Sequence, residues 1–211
     1  MERPGKQNSL NNHYFRSNCR QCNSKNLSIA IKLRETPPAN SFVKKSEISK
    51  KQTLYPLNVY FCNNCNHLQL LDVINPDYLY KKYLYVSGTS KVLVKHFEDY
   101  SKKIIKLTRK DRETKILDIA CNDGTFLNFF KNKFDKVVGI DPAKNLKNLN
   151  LKKNIDIISD YFSMKTSKKI KKKFGKFNVI TANNVFAHNP NLQDFTQGVK
   201  NLMEPKGFFV L

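Results

Sequence analysis

A chain of 211 residues with 40% hydrophobic content has room for one α/β domain and a small appendage, and no apolar run approaches the ~18 residues needed to span a bilayer. The formal charge of +21 rests on 32 Lys against 6 Arg, with one dense run at Lys168–Lys173. Arg is the residue suited to bidentate phosphate and base contacts, so this balance argues against nucleic acid as partner and for Lys on solvated faces, although an anionic small molecule would gain from the field.

Residues 1–12 are polar, lack the apolar stretch of a secretory signal, and are expected to be disordered. Residues 13–72 are rich in Asn, Ser, Pro and Cys, and read as a small β-rich domain with short strands at Val59–Cys62 and His67–Leu71. They hold two pairs, Cys19/Cys22 and Cys62/Cys65, with 39 residues between them. Two-residue spacing lets both thiolates of a pair reach one ion at about 2.3 Å, and four thiolates close a tetrahedron, so the pattern predicts a structural zinc. Paired C-x-x-C without a signal peptide favours a metal over disulfides and a reducing, cytoplasmic setting. The long interval requires an inserted loop, Ile31–Tyr55. His67 reads as a neighbour of the site. A domain this small needs such a staple.

Residues 73–112 read as a link: Pro76, a tyrosine-rich stretch Tyr78–Tyr85, Ser87-Gly-Thr-Ser90, and a helix Val92–Leu107 with apolar residues at helical spacing and Ser90 as its N-cap. Lys110–Thr114 is a polar break. Residues 113–211 then alternate. Strands are expected at Lys115–Ala120, Lys136–Ile140, Ile155–Ile158, Phe177–Ala182 and Gly207–Leu211, and helices near Thr125–Lys133, Asn145–Asn150, Lys165–Lys173 and Leu192–Met203. Such alternation predicts an α/β, Rossmann-like fold with a parallel sheet and right-handed crossovers. The final run Gly207–Leu211 reads as a buried strand, so the fold is expected to be truncated after its fifth strand.

Within this part, Lys115-Ile-Leu-Asp-Ile-Ala-Cys-Asn-Asp-Gly-Thr125 reads as strand, tight turn and helix start, and the next strand ends on Asp141. Strand, small-residue loop, helix, strand and acid is how a doubly wound fold holds a nucleoside, the acid gripping the ribose. The loop carries one glycine, Gly124, together with Asn122 and Asp123, and Asp118 precedes it. A pyrophosphate is poorly served by those side chains; a cationic, phosphate-free nucleoside such as S-adenosylmethionine is well served. Asp160, Tyr161 and Phe162 follow the third strand, where an acid can accept the adenine amine and an aromatic ring can stack. The fourth strand ends in Asn183 and Asn184, then His188, aimed at the crevice outside the strands' carboxyl ends. Cys121 is read as packing.

The order Cys-x-x-Cys, Thr-Pro-x-Ala-Asn, Tyr-Pro-Leu-x-Val, Cys-x-x-Cys, Tyr-x-Tyr-x-Ser-x-Thr-Ser, Asn-Asp-Gly-Thr-Phe-Leu, Gly-Ile-Asp-Pro-Ala and Asn-Asn-Val-Phe-Ala-His, running from about Cys19 to Leu211, resembles the zinc-containing sugar C-methyltransferases of deoxysugar biosynthesis. The resemblance implies a class I methyltransferase fold using S-adenosylmethionine. It implies methylation of a carbon beside the keto group of a nucleotide-linked 4-keto deoxysugar, through an enolate. It places Tyr83, Tyr85 and His188 at the sugar site and Ser87 at the donor site. Ala120-Cys121 stands where the family more often has Gly-Ser, and Ala120 is still expected to line the donor. The family's proposed base belongs to a Tyr-His-Glu-His stretch, which these 211 residues do not contain, so no turnover is expected from them alone. Two other readings stand beside this one: an O- or N-methyltransferase of another small molecule, and a zinc-knuckle nucleic-acid module.

Overall fold

The computed structural model describes residues 12–108, 113–146, 149 and 155–211. The expected disorder before Asn12, most of the polar break at 110–114 and half of the helix expected at 145–150 fall outside them. The chain forms two compact units, one ending at Tyr80 and one beginning at Lys81. No helix among the described residues is long and apolar enough to cross a membrane.

The first unit is built of short antiparallel strands. β1 (His13–Phe15) pairs with β5 (Asp72–Ile74), and β2 (Leu27–Ile31), β3 (Val59–Cys62) and β4 (Leu68–Leu70) form a three-stranded sheet in that order. A five-residue helix α1 (Pro76–Tyr80) follows. The loop between β2 and β3 is pinned by backbone bonds in both directions between Thr36 and Tyr55, whose ring is buried beside His13. β1, β2, β5 and α1 were not expected. They are short and carry no buried residue, and four of the five β2 residues are exposed, so no apolar alternation marks them.

The second unit is a parallel sheet with helices on both faces. Its strands are β6 (Lys115–Ile119), β7 (Lys136–Ile140), β8 (Asp156–Ile158), β9 (Phe177–Thr181) and β10 (Met203–Val210), in the spatial order β10-β9-β6-β7-β8. The chain winds outward from β6 in one direction and then, through β9, in the other. The switch point between β6 and β9 opens a crevice at their carboxyl ends, the usual ligand position in such sheets. Successive residues feed opposite cores: Ile116 and Val179 pack with Phe97, Phe126 and Phe130, whereas Leu117 and Ile180 pack with Phe162, Phe195 and Val199. Burial on both faces is why the strands read as continuous apolar runs.

Helix α2 (Lys91–Leu107) begins where Ser90 Oγ accepts the Leu93 N–H. Its Phe97 and Tyr100 rings lie 5.0 and 5.3 Å from that of Phe126, and Phe126, Phe130 and Phe134 continue as an edge-on ladder. The helix expected at Thr125–Lys133 is only α3 (Thr125–Asn128); from Phe129 the hydrogen bonds tighten to the residue three back, across Asn and Phe residues of modest helix propensity. On the opposite face lie α4 (Met164–Phe174) and α5 (Leu192–Leu202), each capped by a side chain, Ser163 and Asn191. β10 starts four residues before the expected Gly207. Pro205 reads as a strand breaker, but β10 is an edge strand with a register break between Met203 and Phe208, where a missing N–H is tolerated.

Gly139 on β7 is a steric requirement. A Cβ there would lie 2.5 Å from Cys121 Sγ, 2.6 Å from Ile157 Cδ1 and 2.9 Å from Leu127 Cδ1. Gly139→Ala should cost about 1–3 kcal/mol by overpacking, read as a lower urea midpoint with unchanged m-value.

Candidate functional sites: a four-cysteine cluster and the loops above the parallel sheet

In the first unit the two C-x-x-C turns are built alike. In each, the first cysteine's carbonyl accepts an N–H from an asparagine four residues on, Asn23 onto Cys19 and Asn66 onto Cys62, and both asparagines are left-handed with φ 61°. Asn adopts that conformation at little cost, so the repeated C-x-x-C-N is the local signal that could have placed these residues in advance. All four Sγ atoms lie within 4.8 Å of one another. Cys19–Cys65 and Cys22–Cys62 are 3.7 and 3.6 Å apart. A tetrahedron with metal–sulfur bonds of about 2.3 Å has edges of about 3.8 Å, so the cluster fits zinc, and no fifth donor is needed. Gln69, which sequence reasoning missed, is buried beside it and accepts the Arg20 N–H at 2.8 Å, bracing the first turn.

The thiols respond unequally to their crowding. Burial pushes Cys65 up to about 12, reinforced by hydrogen bonds to the other cysteines. Burial also opposes ionisation of Cys19, but the N–H groups of Cys22 and Gln21 and the Gln69 side chain bring it down to about 6. Four such groups can all be thiolates only around a cation, and metal binding therefore displaces protons.

In the second unit, the loop between β6 and α3 bends through three left-handed residues, Ala120 (φ 60°), Asn122 (φ 52°) and Gly124 (φ 71°). For Ala this conformation is unfavourable by roughly 1–2 kcal/mol. The loop is held from β7. Asp141 Oδ2 accepts the Asn122 N–H and Oδ1 accepts the Ala143 N–H, both at 2.8 Å. Burial raises the Asp141 pKa, and the two N–H groups work against that shift. Asp123 is also buried and closes on its own turn, accepting the Thr125 hydroxyl at 2.6 Å and the Thr125 N–H at 3.2 Å.

Asp118 is 4% exposed and accepts the Thr181 hydroxyl of β9 at 2.6 Å. It lies within the sheet beneath the loop. Burial raises its pKa to about 7; the Thr181 bond lowers it and the charge of Asp141 adds to the rise. Thr181 was not foreseen, because its partner is 63 residues away in sequence. Asp160 is exposed and its Oδ1 accepts the Tyr161 N–H at 2.8 Å. Phe162 requires a correction. Expected as a stacking surface for adenine, it is buried and packs edge-on to Phe195 with centroids 5.0 Å apart, close against Gly198 of α5, so its ring belongs to the core. Asn183, just past β9, has its Nδ2 buried with no hydrogen-bond partner among the described residues. An orphaned donor at the mouth of the crevice suits a ligand acceptor. His188 closes a short 3-10 turn (Phe186–His188) and is exposed.

Ahead of α2 in the same unit, Tyr83 is half-buried and Tyr85 exposed, with rings 6.4 Å apart. The Ser87 N–H donates to Asn122 Oδ1 at 2.9 Å, so this segment meets the loop. A recess of about 350 Å³ lined by Thr114, Asn178 and Gly207 holds none of the expected site residues.

A family model described as "Methyltransferase domain" matches residues 94–211, more than half of the chain. The chain belongs to that methyltransferase family. A second model, described as "Putative zinc binding domain", matches residues 19–80 of this methyltransferase. It is 28% identical over 194 residues to C-methyltransferase NovU of Streptomyces niveus, covering 90% of this chain and 46% of that protein, so the chain spans about half the length of this curated relative. Among solved structures it is similar to the plantazolicin methyltransferase BpumL (18% identity, TM-score 0.47, 59% of this chain and 48% of that one) and to an S-adenosylmethionine-dependent methyltransferase of Anabaena variabilis (21%, 0.46, 59% and 51%).

Two outcomes test these assignments. The chain should carry one zinc, released by a thiol-blocking mercurial and lost in Cys62→Ser and Cys65→Ser, as read by metal analysis. For Asp118, a folded-state pKa of about 7 above the usual ~3.9 means its stability contribution is full below pH ~4 and is lost as pH rises through 7. Asp118→Asn keeps an acceptor for Thr181. Its urea midpoint should exceed the parent's at pH 8, and the difference should shrink toward pH 5.

Proposed function

We propose that this chain is the donor-binding part of an S-adenosylmethionine-dependent C-methyltransferase acting on a carbon beside the keto group of a nucleotide-linked 4-keto deoxysugar in the cytoplasm. The observation that carries the reading is the pairing of a four-cysteine unit with the donor fold in one chain, at 28% identity to a C-methyltransferase over 90% of this chain and 46% of that protein. The sugar substrate rests on the motif order described above.

The residues divide the work as follows. Asn122 and Gly124 let backbone approach the nucleoside, and Asp141, already fixed by two N–H groups, keeps lone pairs for ribose hydroxyls. Asp160 and Tyr161 flank the adenine, and Asn183 offers its unpaired Nδ2. S-adenosylmethionine, when bound, supplies a methyl group already activated on sulfur. What remains for the protein is to hold the acceptor carbon in line and keep water away. Tyr83, Tyr85 and His188 are the side chains assigned to the acceptor sugar. The four-cysteine site has no open position and serves as a staple.

The reading is tested in two steps. This chain should bind S-adenosylhomocysteine in calorimetry, and Asp141→Ala should weaken that binding about 10- to 100-fold, the worth of hydrogen bonds to a charged group. With the intact protein, isotope-labelled donor and a nucleotide-linked 4-keto deoxysugar, NMR should place the new methyl on carbon; a methyl on oxygen or nitrogen, or none, would sink the C-methylation claim.

A further inference from the structure

Residues 83–86, just ahead of a 3-10 turn (Ser87–Thr89) and α2, carry no regular secondary structure and are not held by burial: Leu84 is 58% exposed and Tyr85 39%. It is held instead by two asparagine side chains. Asn145, after β7, accepts the Tyr83 N–H at 3.1 Å and donates Nδ2 to the Tyr83 carbonyl at 2.7 Å. Asn122, on the loop after β6, donates Nδ2 to the Tyr85 carbonyl at 3.0 Å and accepts the Ser87 N–H at 2.9 Å.

A primary amide presents one acceptor and one donor side by side, as a peptide group does. Asn145 exchanges both bonds with one residue, the pattern of a hydrogen-bonded antiparallel pair. Asn122 straddles Val86, as a parallel neighbour would. The two amides thus act as a surrogate strand. The Tyr83 and Tyr85 rings, 6.4 Å apart, lie side by side on this segment.

A third contact is independent of the asparagines. A Cβ on Gly88 would lie 2.7 Å from both Asp123 Oδ2 and Thr125 Oγ1, so the segment's end sits directly on the hydrogen-bonded turn of the donor loop. Asn122 is itself fixed through its N–H by Asp141.

We infer that Asn122 and Asn145 are positioning residues that clasp the tyrosine segment onto the donor loops, so that the donor site and the two acceptor tyrosines are ordered together and each ligand favours binding of the other. This rests on the proposed function in one respect, that Tyr83 and Tyr85 meet the acceptor. A loop stitched to the donor site is most ordered when that site is filled.

Amide hydrogen exchange on this chain, with and without S-adenosylhomocysteine, is the test. The Tyr83 and Ser87 amides should be protected in the free chain and more so with the ligand. Asn145→Ala should speed exchange at Tyr83 about tenfold or more, leaving the unfolding midpoint near that of the parent and weakening ligand binding by no more than the extra protection the ligand gives the parent; a role in general stability would move the midpoint. Gly88→Ala should do the same at Ser87 by lifting the segment from Asp123. In the intact enzyme, Asn145→Ala should raise the acceptor KM about tenfold with little change in kcat. Unprotected Tyr83 and Ser87 amides in the parent, or exchange unmoved by both variants, would overturn the clasp. Failure of the parent to bind the ligand would instead count against the donor assignment, and the free-chain comparison would still decide the clasp.

Discussion

The loops after β6 and β7 meet at one carboxylate. Asp141 ends β7, and its two oxygens take N–H groups from opposite directions, Asn122 on the loop after β6 and Ala143 on its own. Ala120, Asn122 and Gly124 are all left-handed, a costly set of conformations for the two residues other than glycine, and the Asp141 bond to Asn122 adds to the backbone bonds from Ala120 and Cys121 to Ile140 in holding them. The placement of the Asn122 side chain follows from it, and so does the hold on Tyr85 and Ser87. The strands beneath supply the rigidity that makes such a junction useful, since every residue of β6 from Ile116 to Ile119 is buried.

The first unit solves a different problem. Its strands are three to five residues long and its apolar residues are largely outside, Tyr14, Phe15, Ile29 and Ile31 among them. A unit of that size cannot offset its chain entropy by burial. The four thiolates do so through bonds to a metal, and the turns that present them rely on two left-handed asparagines.

Local pattern carried much of this into the sequence. The strands Val59–Cys62 and Lys136–Ile140 occur at the expected bounds, and α2 within one residue of them, because burial on a regular period leaves a regular mark. The cysteine pairs were legible because metal spacing is local. What stayed hidden is long-range or exposed. Asn145 finds Tyr83 across 62 residues, Thr181 finds Asp118 across 63, and Gln69 finds Arg20 across 49. No window of sequence contains both partners. Phe162 differs for another reason: its position follows a strand's carboxyl end, but position in sequence does not set side-chain direction, and its ring packs on Phe195 and against Gly198 of α5.

Cys121 gives the molecule an internal division of thiol chemistry. Its sulfur is sealed under the loop, 4% exposed, and burial drives its pKa well above the ordinary value, with the charges of Asp118 and Asp141 adding to the rise. A thiol so rarely ionised is a poor nucleophile toward peroxides and alkylating agents. Of the five cysteines only Cys22 and Cys65 are half-buried rather than buried, so an electrophile is expected to meet the knuckles first, at the cost of the metal. The donor-binding sheet keeps its own sulfur intact. Oxidative damage would be recorded in one unit and spared in the other.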